Sequence, residues 1–184
     1  MKRKILQIVI IIACALPGVS LVSCRSSKKS DSTYYDARAG HVKPGRHKND
    51  KNGKSISKTR KKIAEEAMTW MGTPYGYGKA EKGKACDCSG MVMSVYEKVT
   101  GIKLPRNSAK QQEYCKSLKK KDVEVGDLCF FATGKDPDKT SHVGIMIDDS
   151  SFIHASTSKG VVVSDITQPY YVRTFKGFGR VPDQ

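Results

Sequence analysis

A cysteine at the start of a predicted helix is the first feature of this sequence that could do chemistry. Cys88 stands in the segment Asp87-Cys88-Ser89-Gly90, between a glycine-rich loop and an apolar pattern typical of a helix. The unpaired N–H groups and the dipole at a helix N-terminus stabilise a thiolate. The position therefore predicts that Cys88 is a nucleophile with a lowered pKa. The alternative is a buried, unreactive cysteine.

Histidine is the side chain best suited to take the proton of such a thiol. Two of the four histidines lie in a polar N-terminal segment, which leaves His142 and His154. Both fall in predicted strands of one hairpin, and side chains alternate along a strand. A loop of three residues, 148–150, would place both on one face, whereas a two-residue loop would separate them. If the shared face also lies against the second helix, His142 can act as base for Cys88, and His154 can orient it.

A zinc site is a second interpretation of the same residue types. Cys86, Cys88, His142 and His154 would supply two sulfur and two nitrogen ligands. The Cys-x-Cys spacing is tighter than the usual spacing of zinc ligands. We therefore expect neither a metal nor a cofactor.

The elements that position these residues occur in the order helices first, strands second. Apolar residues at helical spacing predict helices over 57–72 and 88–100. A short third helix is predicted, with Asn107 or Ser108 as its cap and Gln111 at the capping-box position. Apolar, β-branched runs predict strands over 128–132, 142–147, 152–155, 161–166 and 177–181. This order indicates an α+β fold, with N-terminal helices packed on an antiparallel sheet of about five strands.

The net charge of +15 is concentrated outside the predicted domain. Residues 63–184 contain 17 basic and 15 acidic side chains, a net charge of +2, whereas residues 24–62 contain 13 basic and 3 acidic ones, a net charge of +10. A nucleic-acid-binding protein is expected to carry its basic surface on the folded scaffold, so this distribution argues against nucleic acid as a partner. The basic segment suits anionic lipids or acidic wall polymers, or is a solvated linker with no partner.

The N-terminus has the pattern of an export signal. Basic residues at 2–4 precede an apolar run over 5–15, which Pro17 and Gly18 interrupt before it reaches the roughly 20 residues of a spanning helix. The segment Leu21-Val22-Ser23-Cys24 resembles the lipobox of bacterial lipoproteins, in which the cysteine is lipidated. We therefore expect a signal peptide over 1–23 and a membrane anchor at Cys24.

A polar segment separates this anchor from the periodic part of the chain. Residues 24–57 contain too few large apolar side chains to offset the entropy of ordering, so they are predicted to form a disordered tether. The catalytic domain is then expected over 58–184. In an exported domain disulfides can form, and the sequence leaves open the pairing of Cys86, Cys115 and Cys129, although the apolar neighbours of Cys129 favour a core position.

Five segments in this order resemble the NlpC/P60 family of cysteine peptidases over about residues 60–182. They are Asp87-Cys88-Ser89-Gly90, Leu104-Pro105-Arg106, Val125-Gly126-Asp127-Leu128, Ser141-His142-Val143-Gly144-Ile145 and Phe152-Ile153-His154-Ala155-Ser156. The resemblance implies a papain-like α+β fold and hydrolysis of amide bonds in peptidoglycan stem peptides. By position it implies a catalytic triad of Cys88, His142 and His154. It also implies that Tyr75 supports the thiol and that three residues line the substrate pocket: Asp87, Ser89 and Ser141.

Within the family, the short chain and its segment Pro169-Tyr170-Tyr171 resemble the outer-membrane lipoprotein murein endopeptidases. This implies cleavage of peptide cross-links at the periplasmic side of the outer membrane. The alternatives are cleavage between D-glutamate and the diamino acid of one stem, amide or acyl transfer through the same thioester, and a wall-binding module without chemistry. Lys79 and Cys86 depart from the family pattern, and we expect them to alter the charge and the redox sensitivity of the pocket.

Overall fold

The computed structural model describes residues 57–182. The predicted signal peptide, the lipidation of Cys24 and the basic tether before residue 57 lie outside the described residues and stay predictions. Within 57–182, no helix has both the length and the apolar character needed to cross a bilayer.

Two N-terminal helices form where the apolar periodicity predicts them. Helix α1, Lys58–Met68, is shorter than its predicted range and buries the face of Ile63, Ala64 and Ala67. Helix α2, Cys88–Thr100, has the predicted bounds. Its N-cap Asp87 accepts a hydrogen bond from the Gly90 N–H, and it ends at Gly101, whose φ of 76° is left-handed.

Helix α3, Ser108–Tyr114, begins one residue earlier than a capping box at Gln111 would require. Asn107 is its N-cap and accepts a 2.9 Å hydrogen bond from the Lys110 N–H. Lys110 therefore occupies the third helical position, and the capping-box assignment of Gln111 was wrong. Gln111 is instead fully buried beneath the helix.

The main sheet has six antiparallel strands in the order β3-β8-β4-β5-β6-β7, which confirms the α+β class. A separate small hairpin consists of β1 (Ala80–Glu81) and β2 (Ala85–Cys86). The strands of the main sheet are, in chain order, β3 (Lys116–Leu118), β4 (Leu128–Phe131), β5 (His142–Met146), β6 (Ser151–Ser156), β7 (Gly160–Asp165) and β8 (Phe175–Arg180). A 3₁₀ turn, Lys120–Asp122, and helix α4, Pro169–Thr174, complete the elements. The β1–β2 hairpin, β3 and the 3₁₀ turn were not predicted, because two or three residues are too few to display a period, and α4 was not predicted because its six residues make fewer than two helical turns.

Alternation along the central strands produces a core on each face of the sheet. Val143 and Ile145 of β5 belong to the larger cluster, which also contains the apolar faces of α1 and α2. Met146 and Phe131 belong to a second cluster, against which Tyr171 of α4 packs. Helices α1 and α2 therefore cover one face, and α4 contributes to the cover of the other.

Candidate active site

Cys88 is the first residue of α2 and is buried against β5. Its sulfur receives backbone hydrogen bonds from Val143, from Ser89 and from its own residue. The side chain therefore meets the sheet one residue after His142, at the start of β5.

The pKa of Cys88 does not follow the sequence prediction. Burial raises it, and the negative charge of Asp87 raises it further, while the three backbone hydrogen bonds lower it without reversing the shift. The prediction of a lowered pKa was wrong, because it counted the helix terminus and omitted the desolvation of the thiolate.

The hairpin that carries the two histidines has the three-residue loop 148–150. Ile145 pairs with Ile153, and the Ile147 N–H donates to Ser151 O at 2.9 Å. Continuing this register places His154 opposite Gly144, so that His142, two residues earlier, is its diagonal neighbour on the same face. The expectation of a shared face is confirmed, and His142 Nε2 lies 2.9 Å from His154 Nδ1.

Gly144 provides the space that this arrangement needs. A Cβ at Gly144 would lie 2.5 Å from Cδ2 of Phe152 and 3.3 Å from Cβ of His154. The absence of a side chain at Gly144 therefore lets the Phe152 ring and the Cβ of His154 lie close to β5.

His142 and His154 lie on the face of the sheet that carries the second cluster, whereas α1 and α2 cover the other face, so the condition of a face against the second helix is not met along these strands. Val143 and Ile145 occupy the helix side of β5 because their apolar side chains complete the larger core. His154 instead stacks on Phe152 at 4.9 Å between ring centroids and contacts the edge of Tyr171. The thiol nevertheless lies at the backbone of Val143, the residue after His142, so the thiol and the imidazole pair are at the same end of β5.

A chain of hydrogen bonds continues from His142 through His154 to α4. His154 Nε2 lies 2.9 Å from Ser164 Oγ and 3.1 Å from Tyr171 Oη, and Tyr171 Oη donates to Ser164 Oγ at 3.2 Å. If His154 Nε2–H donates to Ser164, then His154 Nδ1 accepts from His142 Nε2–H. This tautomer leaves His142 Nδ1 unprotonated, as a general base requires.

Burial keeps both imidazoles uncharged at neutral pH. Desolvation lowers the pKa of His142 to about 4. Desolvation, together with the charge of a protonated His142, lowers the pKa of His154 to about 3. The resting arrangement is therefore a neutral thiol beside a neutral imidazole pair.

Asp87 holds the loop in front of α2 through five donors. Its Oδ1 accepts from the Gly90 N–H at 2.7 Å, and Oδ2 accepts from the Gly78 N–H at 2.7 Å. Arg106 donates to both oxygens, at 2.9 Å and 2.7 Å, and Ser89 Oγ donates to Oδ1 at 3.3 Å. Burial alone would raise the pKa of Asp87, but these hydrogen bonds outweigh it and the pKa is lowered.

The remaining predicted site residues differ in their positions. Tyr75 bridges to Cys86 and packs against the larger core; burial raises its pKa, as do the negative charges of Cys88 and Asp87. Tyr75 therefore lies within the electrostatic influence of Cys88, and its supporting role stays a prediction. Ser141 is exposed, and its Oγ accepts from the N–H groups of residues 133 and 134 at 2.8 Å each. That hydroxyl stabilises the turn before β5.

Gln111 joins the first turn of α2 to the segment that carries Arg106. Its Nε2 donates to Ser89 O at 3.0 Å and to Pro105 O at 2.9 Å. Ser89 and Pro105 directly precede Gly90 and Arg106, two residues that donate hydrogen bonds to Asp87. The fully buried amide therefore fixes the position of Arg106 relative to the helix that begins at Cys88.

The other cysteines do not form disulfides in the described range. Cys86, Cys115 and Cys129 are free thiols, like Cys88. Burial raises the pKa of Cys86 to about 11, and so does the nearby charge of Asp87. Within residues 57–182, no group of three or more His, Cys, Asp or Glu side chains is arranged to hold a metal ion.

Sequence reasoning missed four residues of this site: Arg106, Gln111, Ser164 and Tyr171. Arg106 and Tyr171 belong to segments used for the family resemblance, but neither segment says what the side chain binds. Ser164 pairs with Phe152 across β6 and β7, which places it on the face of His154. A predicted pairing of these two strands would have been the signal for Ser164.

Comparison with known proteins places this geometry in a family. Residues 72–180 match the NlpC/P60 family. The chain is 39% identical over 113 residues to a Haemophilus influenzae protein named "Probable endopeptidase", covering 61% of this chain and 69% of the relative. It is 36% identical over 122 residues to the Escherichia coli K12 protein named "Murein DD-endopeptidase MepS/Murein LD-carboxypeptidase", covering 66% of this chain and 63% of the relative.

A solved structure shows the same fold. It is a Staphylococcus aureus protein described as similar to lipoprotein, NLP/P60 family, with a TM-score of 0.63 and 30% identity. The superposition covers 73% of this chain and 45% of that one, so the chain spans less than half of its length. The family match extends from the loop before Tyr75 to the last strand of the main sheet. The chain therefore belongs to the NlpC/P60 family.

Proposed function

We propose that this protein is a cysteine peptidase that hydrolyses amide bonds in peptidoglycan peptides, with Cys88 as nucleophile, His142 as base and His154 as the group that orients the base. The observation that carries the proposal is the hydrogen-bonded pair of His142 and His154 beside the N-terminus of the helix that begins with Cys88. Covalent amide hydrolysis needs a nucleophile, a base that accepts the proton of the nucleophile, and a group that orients the base.

In the proposed reaction, His142 exchanges one proton in turn with the Cys88 sulfur, the leaving amine and water. As the Cys88 sulfur attacks the amide carbonyl carbon, His142 Nδ1 takes the thiol proton. The C–N bond then breaks, and His142 returns the proton to the leaving amine, which leaves a thioester. Water attacks the thioester while His142 accepts its proton; the C–S bond then breaks, His142 returns the proton to the Cys88 sulfur, and the product acid leaves. Backbone N–H groups at the start of α2 stabilise the negative charge of each tetrahedral intermediate.

Similarity to the Escherichia coli relative supports a cross-link as the bond cleaved, since that protein is named a murein DD-endopeptidase. The competing bond joins D-glutamate to the diamino acid within one stem. Acyl transfer would use the same thioester but release it to an amine. Product masses separate these reactions, because each leaves different fragments.

The test is digestion of purified, cross-linked muropeptides, followed by mass spectrometry. The wild type is expected to convert dimers to monomers with the addition of one water, and Cys88→Ala is expected to show no conversion. Cys115→Ala is the matched control, because Cys115 lies outside the hydrogen bonds of the site, and it should cleave as the wild type does. A wild type without activity, or an active Cys88→Ala variant, contradicts the proposal.

We also propose that the protein is exported and held in the bacterial cell envelope by lipid on Cys24, with its basic segment near anionic lipids or wall polymers. The lipobox-like segment 21–24 and the charge of residues 24–62 support this placement. Metabolic labelling with a fatty acid should mark the wild type and the control Cys14→Ala, but not Cys24→Ala. Equal labelling of all three contradicts the anchor.

A further inference from the structure

Lys79 lies directly opposite Asp87, the residue before the nucleophile. Ala80 pairs with Cys86 in the β1–β2 hairpin, and the next pair outward is Lys79 with Asp87, whose N–H donates to Lys79 O at 3.0 Å. Residues that oppose each other on antiparallel strands project from the same face. Lys79 therefore shares the face of Asp87 and of its partner Arg106.

The backbone of Lys79 is fixed against the first turn of α2. A Cβ at Gly90 would lie only 2.4 Å from Lys79 O, so the strand could not lie this close to a larger residue. Arg106 Nη2 reaches the same carbonyl at 3.4 Å. The stem of the lysine packs over Gly76, whose Cβ position is 3.1 Å from Lys79 Cγ. The backbone that carries this exposed cation is thus held against the first turn of the helix that begins with Cys88.

Lys79 adds an exposed positive charge beside the start of α2. Arg106 already neutralises Asp87 through two hydrogen bonds. Among residues 57–182, Lys79 forms no ion pair, and the next acid along the hairpin, Glu81, pairs with Lys84 at 3.1 Å. A fixed backbone with an exposed and unpaired ammonium group favours the binding of an anion.

We propose that Lys79 binds a carboxylate of the substrate peptide and thereby determines specificity for the acidic form of that peptide. This inference rests on the proposed peptidoglycan peptidase function. A glutamyl residue linked through its γ-carboxyl keeps its α-carboxylate, and a diamino acid keeps a carboxylate beside each amino group that it uses. Amidation of either group removes the charge that Lys79 would bind.

The experiment compares one cross-linked peptide in three forms: with both carboxylates free, with the glutamyl carboxylate amidated, and with the diamino acid carboxylate amidated. The wild type should show about fivefold higher kcat/KM for the free form than for one of the amides, as suits a partly exposed ion pair. The difference should lie mainly in KM and should shrink as salt is added. The amidated form that the wild type cleaves with the lower kcat/KM identifies the carboxylate that Lys79 binds.

The variants separate the lysine from general charge. Lys79→Gln should lose the preference and Lys79→Arg should keep it, while Lys84→Gln, an exposed lysine of the same hairpin, should behave as the wild type does. An equal preference in the wild type and in Lys79→Gln, or a wild type that cleaves all three forms equally, overturns the assignment of Lys79 alone. A wild type that cleaves none of them overturns the peptidase function as well.

Discussion

Replacing His142 with glutamine is expected to lower kcat for peptide hydrolysis by about 10²- to 10⁴-fold, the usual contribution of a positioned general base. Glutamine fills the same position and can still donate to His154 Nδ1, but it cannot take the thiol proton. The measurement is steady-state cleavage of a defined muropeptide by the wild type and the variant. Far-ultraviolet circular dichroism should show the same fold in both. A variant within tenfold of the wild type would exclude His142 as the base.

Two replacements of His154 distinguish orientation from packing. In His154→Gln the amide oxygen can accept the hydrogen bond that His154 Nδ1 accepts from His142, whereas in His154→Phe nothing can. The glutamine variant should therefore retain more activity than the phenylalanine variant, although the ring of Phe better preserves the stacking on Phe152. The reverse order would mean that the ring acts through packing alone.

The pH dependence of peptide cleavage follows from the burial of His142. Desolvation lowers the pKa of His142 to about 4, so kcat/KM should fall only as the pH drops through that value. In the unfolded chain the imidazole binds its proton near pH 6.5. Between pH 6.5 and 4 the unfolded state therefore binds more protons, and the stability that neutral His142 provides above pH 6.5 is lost as the pH falls. The fall in kcat/KM should be measured only at pH values at which circular dichroism shows that the protein is still folded.

The parts of this molecule that the sequence predicts are those set by local period and alternation. Helix α2 could be placed to the residue, because its apolar stripe lies between an N-capping aspartate and Gly101. The meeting of His142 and His154 followed from one variable, the number of residues in the loop 148–150. Asp148 explains that loop length, since its Oδ1 accepts from the N–H groups of Ser150 and Ser151.

The parts that could not be predicted depend on contacts between distant segments. Which face of β5 carries His142 was decided by the demand of the larger core for Val143 and Ile145. The pKa of Cys88 was decided by burial, which is a tertiary property. The contacts of Ser164 and Tyr171 with His154 depend on how β7 and α4 pack against the sheet. Each of these depends on the packing of the whole sheet, which a single short motif does not report.

The same limit applies to Asp127, which the sequence marked only as part of a motif. The side chain is fully buried and accepts four hydrogen bonds. Arg60 of α1 donates to Oδ1 at 2.6 Å, and Arg180 of β8 donates to Oδ1 at 2.9 Å and to Oδ2 at 2.7 Å. The Glu124 N–H donates to Oδ2 at 2.7 Å. One carboxylate thus joins the first helix, the last strand and the turn before β4.

Asp127→Ala is therefore expected to lower the free energy of unfolding by about 3–5 kcal/mol, because it removes the fully buried carboxylate from two largely buried guanidinium groups and leaves them only the more exposed Glu124. That loss is a large fraction of the 5–15 kcal/mol that typically stabilises a domain. Urea unfolding should show a lower midpoint with an unchanged slope. The control Glu81→Ala removes an exposed ion pair with Lys84 and should cost less than about 1 kcal/mol. Equal losses in the two variants would mean that the buried charge cluster adds no more stability than a surface pair. Because Asp127 lies at the end of β4 away from the Phe131–His142 pair, Asp127→Ala molecules that remain folded should keep their rate of peptide cleavage.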